Sequence, residues 1–174
     1  MSMKGTHIIV YILGMLFTGG QAVFAASPAG RHDSCSQQEV HLKDFTRNHL
    51  DSKECFPWFN KEYTDYVPQR EYVDTLKSYK NSLKVVAIGG SWCSDTQHLL
   101  PELYKITDQV GIPPGHIQLI GVDRDKKDAF GKNAYDVKLV PTFIFYLKGK
   151  EIGRIVETSP GPLEEEIVKL IKQG

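Results

Sequence analysis

Charge of either sign is not in excess in this chain: 21 lysines and arginines face 21 aspartates and glutamates. No basic stripe and no interleaving of arginines with aromatics appears, so nucleic acid is not an expected partner. Long hydrophobic runs are missing too. The apolar stretch near the N-terminus, Ile8 to Phe17, covers ten residues, short for a membrane span. Cysteine is scarce, at three residues, and no Cys/His spacing of a zinc site is present. His41 and His49 therefore read as solvated helix histidines, and neither a metal nor a cofactor is expected. No internal repeat is visible. What the chain does have is an ordinary apolar content, 41%, enough for a single core.

The N-terminus carries the pattern of an export signal. Lys4 supplies a positive start, the Ile8–Phe17 run follows, and Val23-Phe24-Ala25 offers a small-residue site for cleavage after Ala25. An uncleaved anchor is the alternative reading of the same residues. No cysteine stands at the cleavage point, which disfavours a lipid-anchored form. Removing residues 1–25 takes away one charged residue, Lys4, and leaves 20 basic against 21 acidic residues. The expected mature protein is close to neutral, periplasmic or secreted, with no stable membrane insertion once the signal is cleaved. Residues 26–55 read as an N-terminal extension with a weak helical pattern over 38–50, and residues 56–174 as the main domain.

An oxidising compartment makes each thiol significant. Cys35 and Cys55 form the simplest structural pair, leaving Cys93 free; closing that loop stabilises the fold by roughly 3 kcal/mol in the chain-entropy view. The rival use is that Cys35 or Cys55 serves as a resolving thiol for Cys93. Phe56-Pro57-Trp58-Phe59, with Tyr63 and Tyr66, reads as an aromatic cap on one edge of the core.

From Pro68 the pattern alternates. Tyr72, Val73, Leu76 and Tyr79 predict a helix over 70–80, and Val85 to Ile88 a buried central strand. Leu99, Leu103, Ile106 and Val110 form the stripe of a helix over 96–110, with a kink predicted at Pro101. Ile117 to Val122 reads as a second, parallel strand, followed by a charged loop and helix start at 123–127. A hairpin of 142–147 and 152–156 and a last helix through Leu163, Ile167, Leu170 and Ile171 close the chain. Strand–helix–strand followed by hairpin–helix predicts an α/β fold with a mixed sheet and helices on both sides.

The stretch that organises all this is Gly89-Gly90-Ser91-Trp92-Cys93-Ser94-Asp95-Thr96, where a buried strand gives way to a helix. Unpaired N–H groups and the dipole at a helix start favour a thiolate. Pro101 lies eight residues after Cys93, and Val140-Pro141-Thr142 precedes a later strand. Together these resemble the thioredoxin superfamily, whose redox motif is Trp-Cys-x-x-Cys with a cis-proline before a strand. The resemblance runs from about Glu71 to Lys172, and Trp92-Cys93-Ser94-Asp95-Thr96 also looks like the variant motif Trp-Cys-Pro-Asp-Cys of some thioredoxin-related proteins. It implies a thioredoxin-like three-layer fold with a helical N-terminal extension.

The resemblance also assigns roles. Cys93 is implied as the nucleophile that attacks a disulfide, with Trp92 shielding one side of its sulfur. Pro141 is the implied cis-proline, and the backbone of Val140 pairs with a substrate strand. Thr96 stands where the second cysteine belongs, so the two-cysteine cycle is not available within the motif. Its hydroxyl could donate to the Cys93 thiolate, or bond to local backbone. Asp95 suits a first helical turn, yet it would repel a nearby thiolate or accept a proton. Ala87 occupies the position of the family's buried aspartate, and His98 receives no role. Two functions follow. One is a monothiol thiol–disulfide oxidoreductase of the cell envelope, acting on a disulfide-containing protein or a low-molecular-weight thiol. The other is a non-catalytic binding or chaperone module of the same fold.

Overall fold

The computed structural model describes residues 47–52, 55–128 and 131–174. The expected signal peptide, most of the N-terminal extension, Cys35 and His41 lie outside the described residues. The order of elements is α1 (Arg47–Leu50), α2 (Pro57–Asp65), α3 (Arg70–Lys77), β1 (Leu83–Gly89), α4 (Ser94–Val110), β2 (Ile117–Gly121), β3 (Thr142–Leu147), β4 (Lys150–Val156) and α5 (Leu163–Gln173). The α3 helix stops at Lys77, three residues sooner than its apolar pattern predicts, because Tyr79 and Lys80 bond back to Leu76 and Lys77 and tighten the chain into turns. The α4 helix continues through Pro101. Among the described residues, no helix is long and apolar enough to cross a membrane.

The sheet has the strand order β2-β1-β3-β4. The β1–β2 pair is parallel, whereas β1–β3 and β3–β4 are antiparallel, so the sheet is mixed as expected. Side chains alternate between its faces. Val85, Ala87, Phe143 and Phe145 enter one core with the buried apolar side chains of the helices, among them Phe59, Leu76, Leu103 and Ile167. Val86, Ile88 and Ile144 point the other way, onto Val122, Val137, Val140, Trp92 and Cys93. The aromatic segment does cap the first core: Phe59 is buried, stacks on Tyr63 and meets Tyr104 edge-on. Arg47 lies over all three of these rings, 4.5–5.0 Å from their centroids.

The helix start expected at 123–127 does not form. The segment between β2 and β3 instead carries a tandem of five-residue loops, a short repeat that the residue types do not advertise. Asp123 Oδ1 accepts from the Lys127 N–H, Asp128 Oδ1 from Lys132 and Asn133 Oδ1 from Val137, at 2.8–2.9 Å. In each loop the fourth residue has a left-handed backbone: Lys126, Gly131 and Asp136, with φ of 62°, 71° and 50°. Asp and Asn side chains that take backbone N–H groups compete with a helical ladder, and here they win. Val122, Tyr135, Val137 and Val140 pack against the second face of the sheet.

Candidate functional site

Strand register builds the site. Thr142 is opposite Ile88 on one side and Val156 on the other. The chain leaving β1, the chain entering β3 and the chain leaving β4 therefore meet at one end of the sheet. Cys93 comes from the first, Val140 and Pro141 from the second, Glu157 from the third. The Val140–Pro141 bond is cis, the conformation that the resemblance implies. This loop is held on both sides: the Thr142 hydroxyl donates to Leu139 O at 2.7 Å, and the Glu157 N–H to Pro141 O at 2.8 Å.

Cys93 is the residue that caps α4, with φ −97° and ψ 123°, but its side chain makes no capping bond. Its sulfur turns instead toward the cis-proline loop, and the S–H donates to Val140 O at 3.2 Å. Its thiol is free and half-buried. Cys55, in contrast, is disulfide-bonded, so in this structure it is not available to resolve Cys93. The turn before Cys93 is pinned twice: its N–H bonds to Gly90 O at 3.0 Å, and Gln97 Nε2 to Ser91 O at 2.7 Å. The Trp92 indole N–H donates to Val122 O at 3.0 Å. Arg124 and Lys126 lie 4.8 and 5.8 Å from the centre of its ring, so the tryptophan has a cationic cover.

Thr96 departs from both roles the sequence suggested. It is fully buried, and its Oγ1 has no hydrogen-bond partner, neither the Cys93 sulfur nor local backbone. The reason is packing. The side chain is pressed toward Gly89, where an added Cβ would stand 2.6 Å from Thr96 Cγ2 and 3.1 Å from Oγ1. Asp95 is exposed in the first turn of α4, where a carboxylate suits the helix dipole. Ala87 is completely buried in the first core.

The family model for thioredoxin matches residues 64–173, more than half of the chain. The chain belongs to the thioredoxin family. Among curated relatives it is similar to thioredoxin H2 of Arabidopsis thaliana, 29% identical over 90 residues, which is 52% of this chain and 64% of that protein. It is likewise similar to the thioredoxin of Gallus gallus, 29% identical over 96 residues, 55% of this chain and 87% of the relative. Of solved structures, the thioredoxin of Fasciola hepatica aligns with a TM-score of 0.37 at 22% identity, covering 58% of this chain and 89% of its own.

Around Asp95, which the sequence singled out, the fold gathers further polar residues that it did not. A cavity of about 300 Å³ opens between α4, the end of β4 and the start of α5. Asp95, His98, Glu102 and Glu157 line it, with Tyr66 and Leu163. His98 Nδ1 lies 3.1 Å from Glu62 Oε2, and its Nε2 3.4 Å from Glu102 Oε1. Burial pushes the Glu102 carboxyl above the usual carboxylate range; Glu164 and Glu62 push the same way, and His98 opposes them. Behind it, Glu164 is fully buried and accepts the Tyr66 O–H at 2.5 Å and the Gln69 N–H at 2.7 Å. One signal was available in the sequence: His98 and Glu102 are four apart and share a helix face with Asp95. Glu157 had no such signal, because only the sheet register brings it here. Among the described residues, no group of three or more metal-type side chains is placed to hold an ion.

Proposed function

We propose that this thioredoxin-family protein is a thiol–disulfide oxidoreductase of the cell envelope that works through the single nucleophile Cys93. The observation that carries the proposal is the placement of Cys93 Sγ, 3.2 Å from Val140 O beside the cis-proline, on a half-buried and unoxidised thiol. In the reaction, the sulfur gives its proton to solvent and attacks one sulfur of a substrate disulfide. The substrate S–S bond breaks, a Cys93–substrate disulfide forms, and the departing thiolate takes up a proton. Because Thr96 has no sulfur, release needs outside thiols. Two of them, oxidised to one disulfide, free the substrate and restore Cys93, so two electrons pass from the external thiols to the substrate. Trp92 and Val140 line the approach to the sulfur, and Asp95 borders it on the helix side. The pairing of Cys35 with Cys55 serves stability in this scheme. Export rests on the Lys4, Ile8–Phe17 and Ala25 pattern.

A second reading, a non-catalytic binding or chaperone module, draws on the Thr96 hydroxyl: it offers the sulfur no contact. One experiment separates the two. The unreduced protein is mixed with a peptide disulfide, and intact mass is followed over time. The expected result is one peptide adduct, absent from Cys93→Ser, forming faster than on a short cysteine peptide. No adduct, or one no faster than that reference, overturns the enzymatic reading.

A further inference from the structure

The cavity against the first turns of α4 carries more negative charge than its lining offsets. Among the described residues, Asp95, Glu102 and Glu157 line it, no lysine or arginine does, and the sole basic group there is His98. That imidazole is already engaged, since its Nδ1 is bonded to Glu62. Glu102 is the critical residue. It is only 8% exposed, yet among the described residues its carboxylate accepts no hydrogen bond; its one close polar neighbour is His98 Nε2, at 3.4 Å. Glu164, just behind, accepts from Tyr66 and Gln69 and, as another carboxylate, repels Glu102. A buried carboxylate is normally paired and hydrogen-bonded. This one has the ion pair with His98 alone and faces a cavity.

The position of the cavity ties it to the reaction. Asp95 follows Cys93 by two residues on the first turn of α4 and lies on the cavity wall. Glu157, on another side of that wall, holds the cis-proline loop by its N–H bond to Pro141 O at 2.8 Å. The cavity thus borders both the sulfur-bearing turn and the loop expected to hold the substrate strand. We propose that it is a subsite for a cationic side chain, an ammonium or guanidinium close in sequence to the substrate's disulfide cysteine. Glu102 and Glu157 receive the cation, and Asp95 forms the rim. Such a group supplies the charge and hydrogen bonds that Glu102 lacks, so substrates with lysine or arginine near the reactive cysteine react faster than neutral or acidic ones. The inference rests on Cys93 being the nucleophile.

The test uses the full, unreduced protein and peptides that carry one cysteine as a mixed disulfide with thionitrobenzoate. Attack of Cys93 on the peptide sulfur releases coloured thionitrobenzoate, the better leaving group. Lysine, glutamine or glutamate is placed in turn at each of the neighbouring positions. At the best position the lysine peptide is expected to react about fivefold faster than its glutamine counterpart, with the glutamate peptide slowest. That ratio is expected to fall toward one in Glu102→Gln with Glu157→Gln. In the unaltered protein it is expected to fall likewise near 1 M salt, where screening length shrinks to about 3 Å. Glu157→Gln alone, at a half-exposed residue, decides the matter if the double variant does not fold: the lysine advantage is expected to shrink in it as well. Equal rates for lysine and glutamine at every position overturn the subsite and leave the nucleophile standing. A lysine advantage that survives both salt and the double variant also overturns it. No release from any peptide overturns the nucleophile, and the subsite with it.

Discussion

Replacing Thr96 by valine is expected to make the protein more stable. Thr96 is fully buried and its hydroxyl is without a partner. A buried polar group left unsatisfied costs about 1–3 kcal/mol, and valine has the same branched shape with a methyl in place of the hydroxyl. Threonine and valine differ little in helix propensity, so the third residue of α4 tolerates the change in backbone terms. Gly89 has no side chain to meet the added methyl, and no void opens. A gain of about 1.5 kcal/mol with a urea slope near 2 kcal/mol per molar raises the midpoint by about 0.5–1 M. Equilibrium urea unfolding of both proteins, with slopes compared, measures it. A midpoint that falls, at unchanged slope, refutes the reasoning and means the hydroxyl has a partner in solution. Running the peptide-disulfide assay on the same variant adds a second readout. A slower Cys93 in a more stable protein would identify the hydroxyl as a group kept for the reacting sulfur at the expense of the resting fold.

Three further outcomes follow from the geometry. Because burial and the neighbouring carboxylates raise Glu102 in the folded protein, the unfolded chain binds fewer protons above its ordinary value of 4.5, and stability falls there as pH rises. Glu102→Gln is therefore expected to raise the melting temperature at neutral pH, with the difference vanishing below that ordinary value; a neutral-pH decrease in melting temperature would contradict it. Arg47→Ala removes the cation stacked on Phe59, Tyr63 and Tyr104 and its ion pairs to Asp51 and Asp108, and is expected to cost about 2 kcal/mol by urea unfolding. Recovery of that loss by Arg47→Lys would count against the ring stack, since a lysine ammonium cannot lie flat among three rings. Gly90→Ala places a methyl against the Trp92 indole, so it is expected to quench or shift Trp92 fluorescence and slow peptide-adduct formation at Cys93; unchanged spectra and rate would show that the indole is not fixed by its bond to Val122 O.

The periodicities of 72–79, 99–110 and 163–171 determined where the helices bury their faces, because a helix stripe and a strand run are local patterns. Motif order did the same for Cys93 and the cis Val140–Pro141 bond. Local pattern went astray at 123–127, where the Asp123 side chain claims the Lys127 N–H that a helix would have used. It also misjudged Thr96, whose hydroxyl direction is set by packing toward Gly89 and not by its distance from Cys93 along the chain. Tertiary structure alone brought Glu157 and Tyr66 beside Asp95, His98 and Glu102, since these come from three separate segments that only sheet register and helix packing can join. The sequence by itself determined that a thiol stands at the head of a helix next to a proline loop. Which charges share the cavity at that helix start was decided by the fold, because electrostatic neighbours depend on distances in space that no spacing along the chain records.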